Sequence, residues 1–202
     1  MTTYVYHGSK KANLKILKLK ESGFGKKFVY ACDDPIFAAI FIHRPGGSFL
    51  AGWGREKNKI PYFFERKKGV FNKWYNKRKG YLYVLNKKDF LKKDFLWDGE
   101  VISEKSVKVV KKIKIDNLKK YFENLEKEGK FRIIKFKDRS KHFPKDEGKL
   151  IKSCANYILM RGKGAKSRIR KLQPRVYPKA LERIRVGYKA KGEDVKKYEK
   201  NK

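Results

Sequence analysis

Asp33-Asp34-Pro35 followed by seven consecutive apolar residues, Ile36 to Ile42, most narrows what this chain can fold into. An acidic N-cap with proline at the first helical position is a helix start signal. The run beyond it is apolar on nearly every side rather than along one stripe, so the helix it predicts is buried and the rest of the chain has to cover it. With 202 residues, 40% of them apolar and 14% aromatic, the chain is large enough to bury such a core. His43-Arg44 falls at the expected last turn, where cations suit the helix dipole.

Strand signals surround this helix. Tyr4-Val-Tyr-His-Gly-Ser9 alternates with a period of two, Val5 pointing one way and Tyr4 and Tyr6 the other, and ends in a turn. Lys27 to Ala31, Tyr81 to Leu85, Glu100 to Ser103 and Val107 to Ile115 read as further strands, and Ile60 to Phe64 and Phe131 to Phe136 as weaker ones. Lys10 to Lys20 reads as a loop or short helix, and Ser22 to Gly25 as a turn. Asp116 is the expected cap of a helix carrying Leu118, Tyr121, Phe122 and Leu125 on one face and closed by Gly129. Two stretches stay open. Pro45 to Gly54 is either a flap over a site or a surface connection. Arg66 to Lys79 sets Phe71, Trp74 and Tyr75 among seven Lys and Arg, to stack bases or to face the core.

Charge is the compositional outlier. Lys and Arg number 55 against 21 Asp and Glu, a net +34, which predicts a polyanionic partner, nucleic acid first. From Asp138 the texture changes: an amphipathic helix over Asp146 to Met160, then an acid-free run to Arg175 with seven Lys and Arg, a short helix over Pro178 to Arg185 and a charged tail. Arg161, Lys163, Lys166, Arg168, Arg170 and Lys171 are the expected nucleic-acid contacts. The predicted organisation is a domain over 1–137 and a basic, partly helical extension over 138–202. Cys32 and Cys154 have no second Cys or His at ligand spacing, so neither a metal site nor a disulfide framework is expected. Without a signal peptide or an apolar run long enough to span a bilayer, the expected setting is cytoplasmic.

His7-Gly8 after the first strand, Val29-Tyr30-Ala31 on the second strand with Ala38-Ala39 on the helix behind it, and Glu100 entering a later strand together resemble the ADP-ribosyltransferase fold. The resemblance is to its His-Tyr-Glu branch, which includes diphtheria-type toxins and poly(ADP-ribose) polymerases. Gly25 and the segment Gly99-Glu-Val-Ile-Ser103 add to it, and it covers roughly Thr3 to Ile115. It implies an α+β fold with a split antiparallel β-sheet core and flanking helices, and NAD as substrate. It further implies that Gly8 bonds the nicotinamide carboxamide through its main chain, that His7 contacts a ribose hydroxyl and that Tyr30 stacks on the nicotinamide. Ser9 and an aromatic on the following helix, Phe37 or Phe41, complete the expected NAD contacts. Glu100 is the implied catalytic acid, with Glu104 as its rival. The RNA 2'-phosphotransferases share the fold but hold phosphate with additional Arg and His, for which His43-Arg44 and scattered cations are available. A non-enzymatic basic nucleic-acid-binding protein is the competing expectation.

Overall fold

The structure, a computed structural model, describes residues 4–21, 26–56, 59–94 and 96–190. The turn expected at Ser22 to Gly25 and the charged tail from 191 lie outside the described residues. In chain order the first elements are β1 (Tyr4–Ser9), β2 (Ile16–Leu17), β3 (Lys20–Glu21), β4 (Lys27–Cys32), α1 (Pro35–Ile42), β5 (Ala51–Arg55), β6 (Pro61–Glu65), α2 (Val70–Tyr75) and β7 (Gly80–Asn86). They continue with β8 (Glu100–Ser103), β9 (Val107–Lys108), β10 (Lys111–Ile115), α3 (Leu118–Lys127), β11 (Arg132–Ile134), α4 (Arg139–His142), α5 (Asp146–Leu172) and α6 (Tyr177–Ala190). The fold is α+β, with antiparallel sheets and six helices among the described residues. No helix among them is long and apolar enough to cross a membrane.

The chain divides into two compact units. The first takes residues up to Pro45, Trp53–Phe63 and Phe71–Ile133; the second takes Gly46–Gly52, Phe64–Val70 and the chain from Ile134. The expected boundary at 137 therefore falls close to the start of the last segment, but the second unit also draws on two stretches from earlier in the chain.

In the first unit the main sheet runs β10-β7-β1-β4-β3, with β8 also on β4. β1 pairs with β7 along its whole length, from Tyr4 opposite Asn86 to Ser9 opposite Tyr81. Toward β4 its pairing is Tyr6 opposite Cys32, and β3 meets the other end of β4 at Lys27 and Phe28. Gly8 and Ser9 thus have no β4 partner, and the sheet opens there. Val5, Leu17, Val29, Ala31, Leu85, Val101 and Val107 form one buried cluster of this unit. Phe63, Phe71, Trp74, Tyr75 and Phe122 form an aromatic one, each with no exposed surface. The rings of the Arg66 to Lys79 stretch therefore face the core, which removes them as base-stacking candidates.

α1 starts as expected: the Asp34 carboxylate accepts from the Ile36 N–H at 2.7 Å, with Pro35 at the first turn. It ends at Ile42, two residues before the expected last turn with His43-Arg44 closes, because His43 is already extended (φ −144°). The helix lies so close on β1 that a β-carbon on Gly8 would come within 1.9 Å of the Ala38 carbonyl oxygen. On β7 one added to Gly80 would come within 2.4 Å of Ile42. Since backbone cannot swing aside as a side-chain tip can, Gly8→Ala is expected to cost about 3 kcal/mol of stability, the upper end of the usual overpacking range. Denaturant unfolding measures it, and a cost under about 0.5 kcal/mol, typical of an indifferent surface site, would refute this packing argument.

Other expectations shift by small physical margins. Lys10 to Lys20, expected as a loop or short helix, is a loop that carries β2 and the start of β3, and the Val107 to Ile115 strand is broken into β9 and β10. The Pro45 to Gly54 stretch is a short helical turn followed by β5, an edge of the smaller sheet β11-β6-β5. Asn117, not Asp116, caps α3, its side chain accepting from the Lys120 N–H at 3.1 Å, while Asp116 pairs with Lys114. Gly129 closes the helix with φ +69°.

In the second unit, α5 continues past Met160 but is interrupted at Gly162 (φ 62°, ψ −141°). Leu150, Cys154 and Ile158 before the break, Ala165 and Ile169 after it, and Val176, Ala180 and Ile184 share one core. The start of α5 is held by charge. Arg66 clasps the buried Asp146, with Nη2 at 2.5 Å from Oδ1 and Nε at 3.1 Å from both oxygens, and Arg139 approaches to 3.8 Å. Glu147 pairs with Arg139 and Lys179.

Candidate active site

The opening between β1 and β4 is a cavity of about 580 Å³, within the size range of small-molecule sites. His7, Gly8 and Ser9 from β1, Tyr30 and Cys32 from β4, Phe41 and Arg44 from the α1 region and Glu100 from β8 line it. Residues that stand 23 and 93 positions from His7 in sequence thus meet in one cleft, because β4 pairs with β8 and sets Cys32 opposite Glu100.

His7 has a defined chemical state. Its Nδ1 lies 2.7 Å from the Tyr30 carbonyl oxygen, which can only accept, so Nδ1 carries the proton. Burial lowers the pKa of the ring, the Tyr30 bond opposing and the nearby Lys20 charge adding to the fall. In the neutral ring Nε2 is then an acceptor, suited to a hydroxyl donor. The loop after β1 is pinned behind it. Tyr83 donates its hydroxyl proton to the Lys11 carbonyl at 2.5 Å, and Lys112 donates to the Ala12 carbonyl at 3.0 Å. The Ser9 hydroxyl accepts from the Lys11 N–H at 3.2 Å.

Glu100 is held by a tight turn. Its N–H donates to the Trp97 carbonyl at 3.1 Å, and Gly99 takes φ +86°, where a side chain would be strained and would meet Arg55 and Asp33. Lys92 ties the turn from below through the Trp97 and Glu100 carbonyls at 2.6 and 3.2 Å, and the Asp33 N–H donates to the Gly99 carbonyl at 3.0 Å. Burial raises the pKa of the Glu100 carboxyl; a hydrogen bond from the Trp97 side chain and the charges of Arg44 and Lys92 act against the rise. Glu104, by contrast, is exposed, pairs with Lys93 at 3.8 Å and does not line the cavity. Of the two carboxylates, Glu100 is the one in the cleft.

Of the two aromatic alternatives on α1, Phe41 lines the cavity and Phe37 does not. Phe37 has no exposed surface and is packed edge-on to Trp97 at 4.7 Å with the Arg55 guanidinium 4.7 Å over its ring. The expectation for Phe37 as a ligand contact is corrected on that ground. Tyr30 stays half-buried in the cleft, its ring edge-on to Phe28 at 6.0 Å.

Three residues of the site went unsingled in the sequence. Trp97 steadies the Glu100 carboxylate and packs on both Phe37 and Phe41. Arg55 joins the turn to α1 by pairing with Asp33 at 2.9 Å and with Asp34 and Asp98 at 3.5 Å. Arg44, named only as a spare cation, lies over Phe41 at 4.3 Å and faces Glu100. Four acids grouped around Trp97-Asp-Gly-Glu100 and Asp33-Asp34 in so basic a chain were the available signal. Lys10, Lys11 and Lys20 add cations to the rim. Cys32 is a buried thiol whose pKa burial raises strongly, so it is no nucleophile.

The expected nucleic-acid contacts all lie on α5. Arg161, Lys163, Arg168, Arg170 and Lys171 are exposed and Lys166 is half-buried. No protein-family model matches the chain, and neither a curated protein nor a solved structure matches it.

Proposed function

We propose that this chain is an ADP-ribosyltransferase of the His-Tyr-Glu type, on the fold of that family, with NAD as substrate. The observation that carries the reading is the convergence of His7, Gly8, Tyr30 and Glu100 on one cleft of suitable volume. The residues present suit the dinucleotide. The end of β1, which has no partner on its β4 side, offers main chain to the carboxamide, and the Tyr30 face suits a cationic ring. Nε2 of His7 accepts from a ribose hydroxyl, and Lys10, Lys11, Lys20 and Arg44 balance the diphosphate.

In the reaction the bond between ribose C1' and the nicotinamide nitrogen breaks, its electron pair leaving with the ring, which becomes neutral. Positive charge develops on the sugar. The Glu100 carboxylate, fixed by its turn and by Trp97, holds the adjacent ribose hydroxyl and stabilises that charge more than it does the ground state. An acceptor oxygen or nitrogen then bonds to C1' and releases its proton. The partial burial of Glu100 strengthens its interaction with the developing charge.

NAD added to the full chain is expected to raise its melting temperature and to yield nicotinamide over time, read by chromatography with mixed nucleic-acid and protein acceptors present. Absence of both the thermal shift and nicotinamide would overturn the reading.

A further inference from the structure

The end of the second unit has a geometry that the cleft does not use. After the break at Gly162, α5 runs to Leu172, a four-residue connection spans Gln173 to Val176, and α6 follows. The connection is fixed: the buried Gln173 donates its side-chain amide to the Phe49 carbonyl at 2.5 Å and its N–H to the Ile169 carbonyl at 2.8 Å. The first part of α5 supplies a third helix to the same core. Three helical segments around one core, the last two joined by a short fixed turn, have the connectivity that a helix-turn-helix requires.

The charge is placed to match. Between Arg161 and Ala190 there are eleven Lys and Arg and one acid, Glu182. The start of α5 consumes Asp146 and Glu147 in pairs with Arg66, Arg139 and Lys179. Among the described residues no acid pairs with Lys163, Arg170, Lys171, Arg175 or Arg183. On α6 the buried positions Ala180 and Ile184 lie opposite an outward stripe of Glu182, Arg183 and Val186. That stripe mixes donors, an acceptor and an apolar tip, which a surface built only to attract phosphate does not need.

We propose that the segment from Gly162 to Ala190 is a helix-turn-helix for duplex DNA, with α6 in the major groove and the second half of α5 along the phosphates. α6 spans about 21 Å, and the groove, about 12 Å wide, admits a helix. Arg183 reads a guanine edge and Val186 a thymine methyl, while Lys163, Arg170, Lys171 and Arg175 neutralise phosphates. The assignment stands apart from the NAD chemistry, since no residue is shared.

The test is fluorescence anisotropy of the full chain on a duplex of roughly 20 bp, two helical turns, across a salt series. Arg170→Ala with Lys171→Ala is expected to weaken binding to every sequence and to flatten the salt slope by about 2. Lys163→Ala with Arg175→Ala, a second exposed pair, should do the same. Removing two charges from the first unit, Lys108→Ala with Lys111→Ala, should leave the slope unchanged. Arg183→Ala should keep non-specific binding but lose about 5- to 100-fold on a sequence selected by the wild type from a randomised pool. Equal losses from both units, tighter binding to single strands or RNA, or failure of the pool to yield a preferred sequence would each overturn the proposal.

Discussion

Glu100→Gln is expected to lower nicotinamide release from NAD by about 100- to 1,000-fold, the usual effect of removing one group aimed at developing charge. The NAD-induced rise in melting temperature should persist. The substitution keeps the size of the side chain and a hydrogen-bonding oxygen for Trp97, and it deletes the negative charge that faces the forming sugar cation. Because burial raises the Glu100 pKa, wild-type release should climb with pH to a midpoint above the ordinary glutamate value of 4.5. Stability should move the opposite way. Folded Glu100 holds its proton to higher pH than the unfolded chain does, so the native state binds more protons between 4.5 and the raised value. Wild-type stability therefore falls as pH rises through that window. At neutral pH the Gln variant should melt above the wild type, and below the window the two should coincide. A variant that keeps the wild-type rate would remove Glu100 from the chemistry.

In the second unit, Asp146→Ala should lower stability by about 3 kcal/mol, as expected when a buried ion pair loses one partner. Asp146 is 5% exposed and is the shared counter-ion of Arg66 and Arg139, whose side chains are 14% and 13% exposed. Removing it strands two cations where water reaches them poorly. Arg66 also donates to the Ser48 carbonyl, so it cannot swing outward without losing a second bond. The measurement is the denaturant midpoint of the helical circular-dichroism signal. Asp146→Asn, which keeps an acceptor for Arg66 but not the charge, should fall between wild type and Ala. A loss below about 1 kcal/mol, as for an exposed pair, would show that the cluster is solvated and contributes little.

How much was legible in the sequence differed with the range of the interaction. α1 was readable because Asp34-Pro35 is a local signal, and β7 because Tyr81 to Leu85 is dense in strand formers. His7, Tyr30 and Glu100 were readable as an ordered set, though only strand pairing brings them together. Phe37 and Phe41 could not be ranked because α1 is apolar on all sides, so no stripe tells which ring faces the cleft. Arg55 joins three acids brought near by tertiary folding, and Trp97 acts through a turn whose orientation depends on β4; neither leaves a local trace. Asp116 and Asn117 are adjacent cap formers, so residue type alone does not choose between them; Asn117 is the one that accepts from the Lys120 N–H, while Asp116 is taken up by Lys114. The continuation of α5 past Met160 was hidden by Gly162 and Gly164, which weaken helix propensity, while Ala165 and Ile169 drive the segment back onto the core.

The three tryptophans divide the chain optically. Trp74 is sealed in the aromatic core, whereas Trp97 bonds the Glu100 carboxylate and Trp53 packs on Phe41 beneath Arg44, both of which line the cleft. Indole emission responds to neighbouring charge and to water, so two of the three emitters sit where a ligand would change both. The molecule carries its own reporter, and filling of the cleft can be followed by fluorescence without a label.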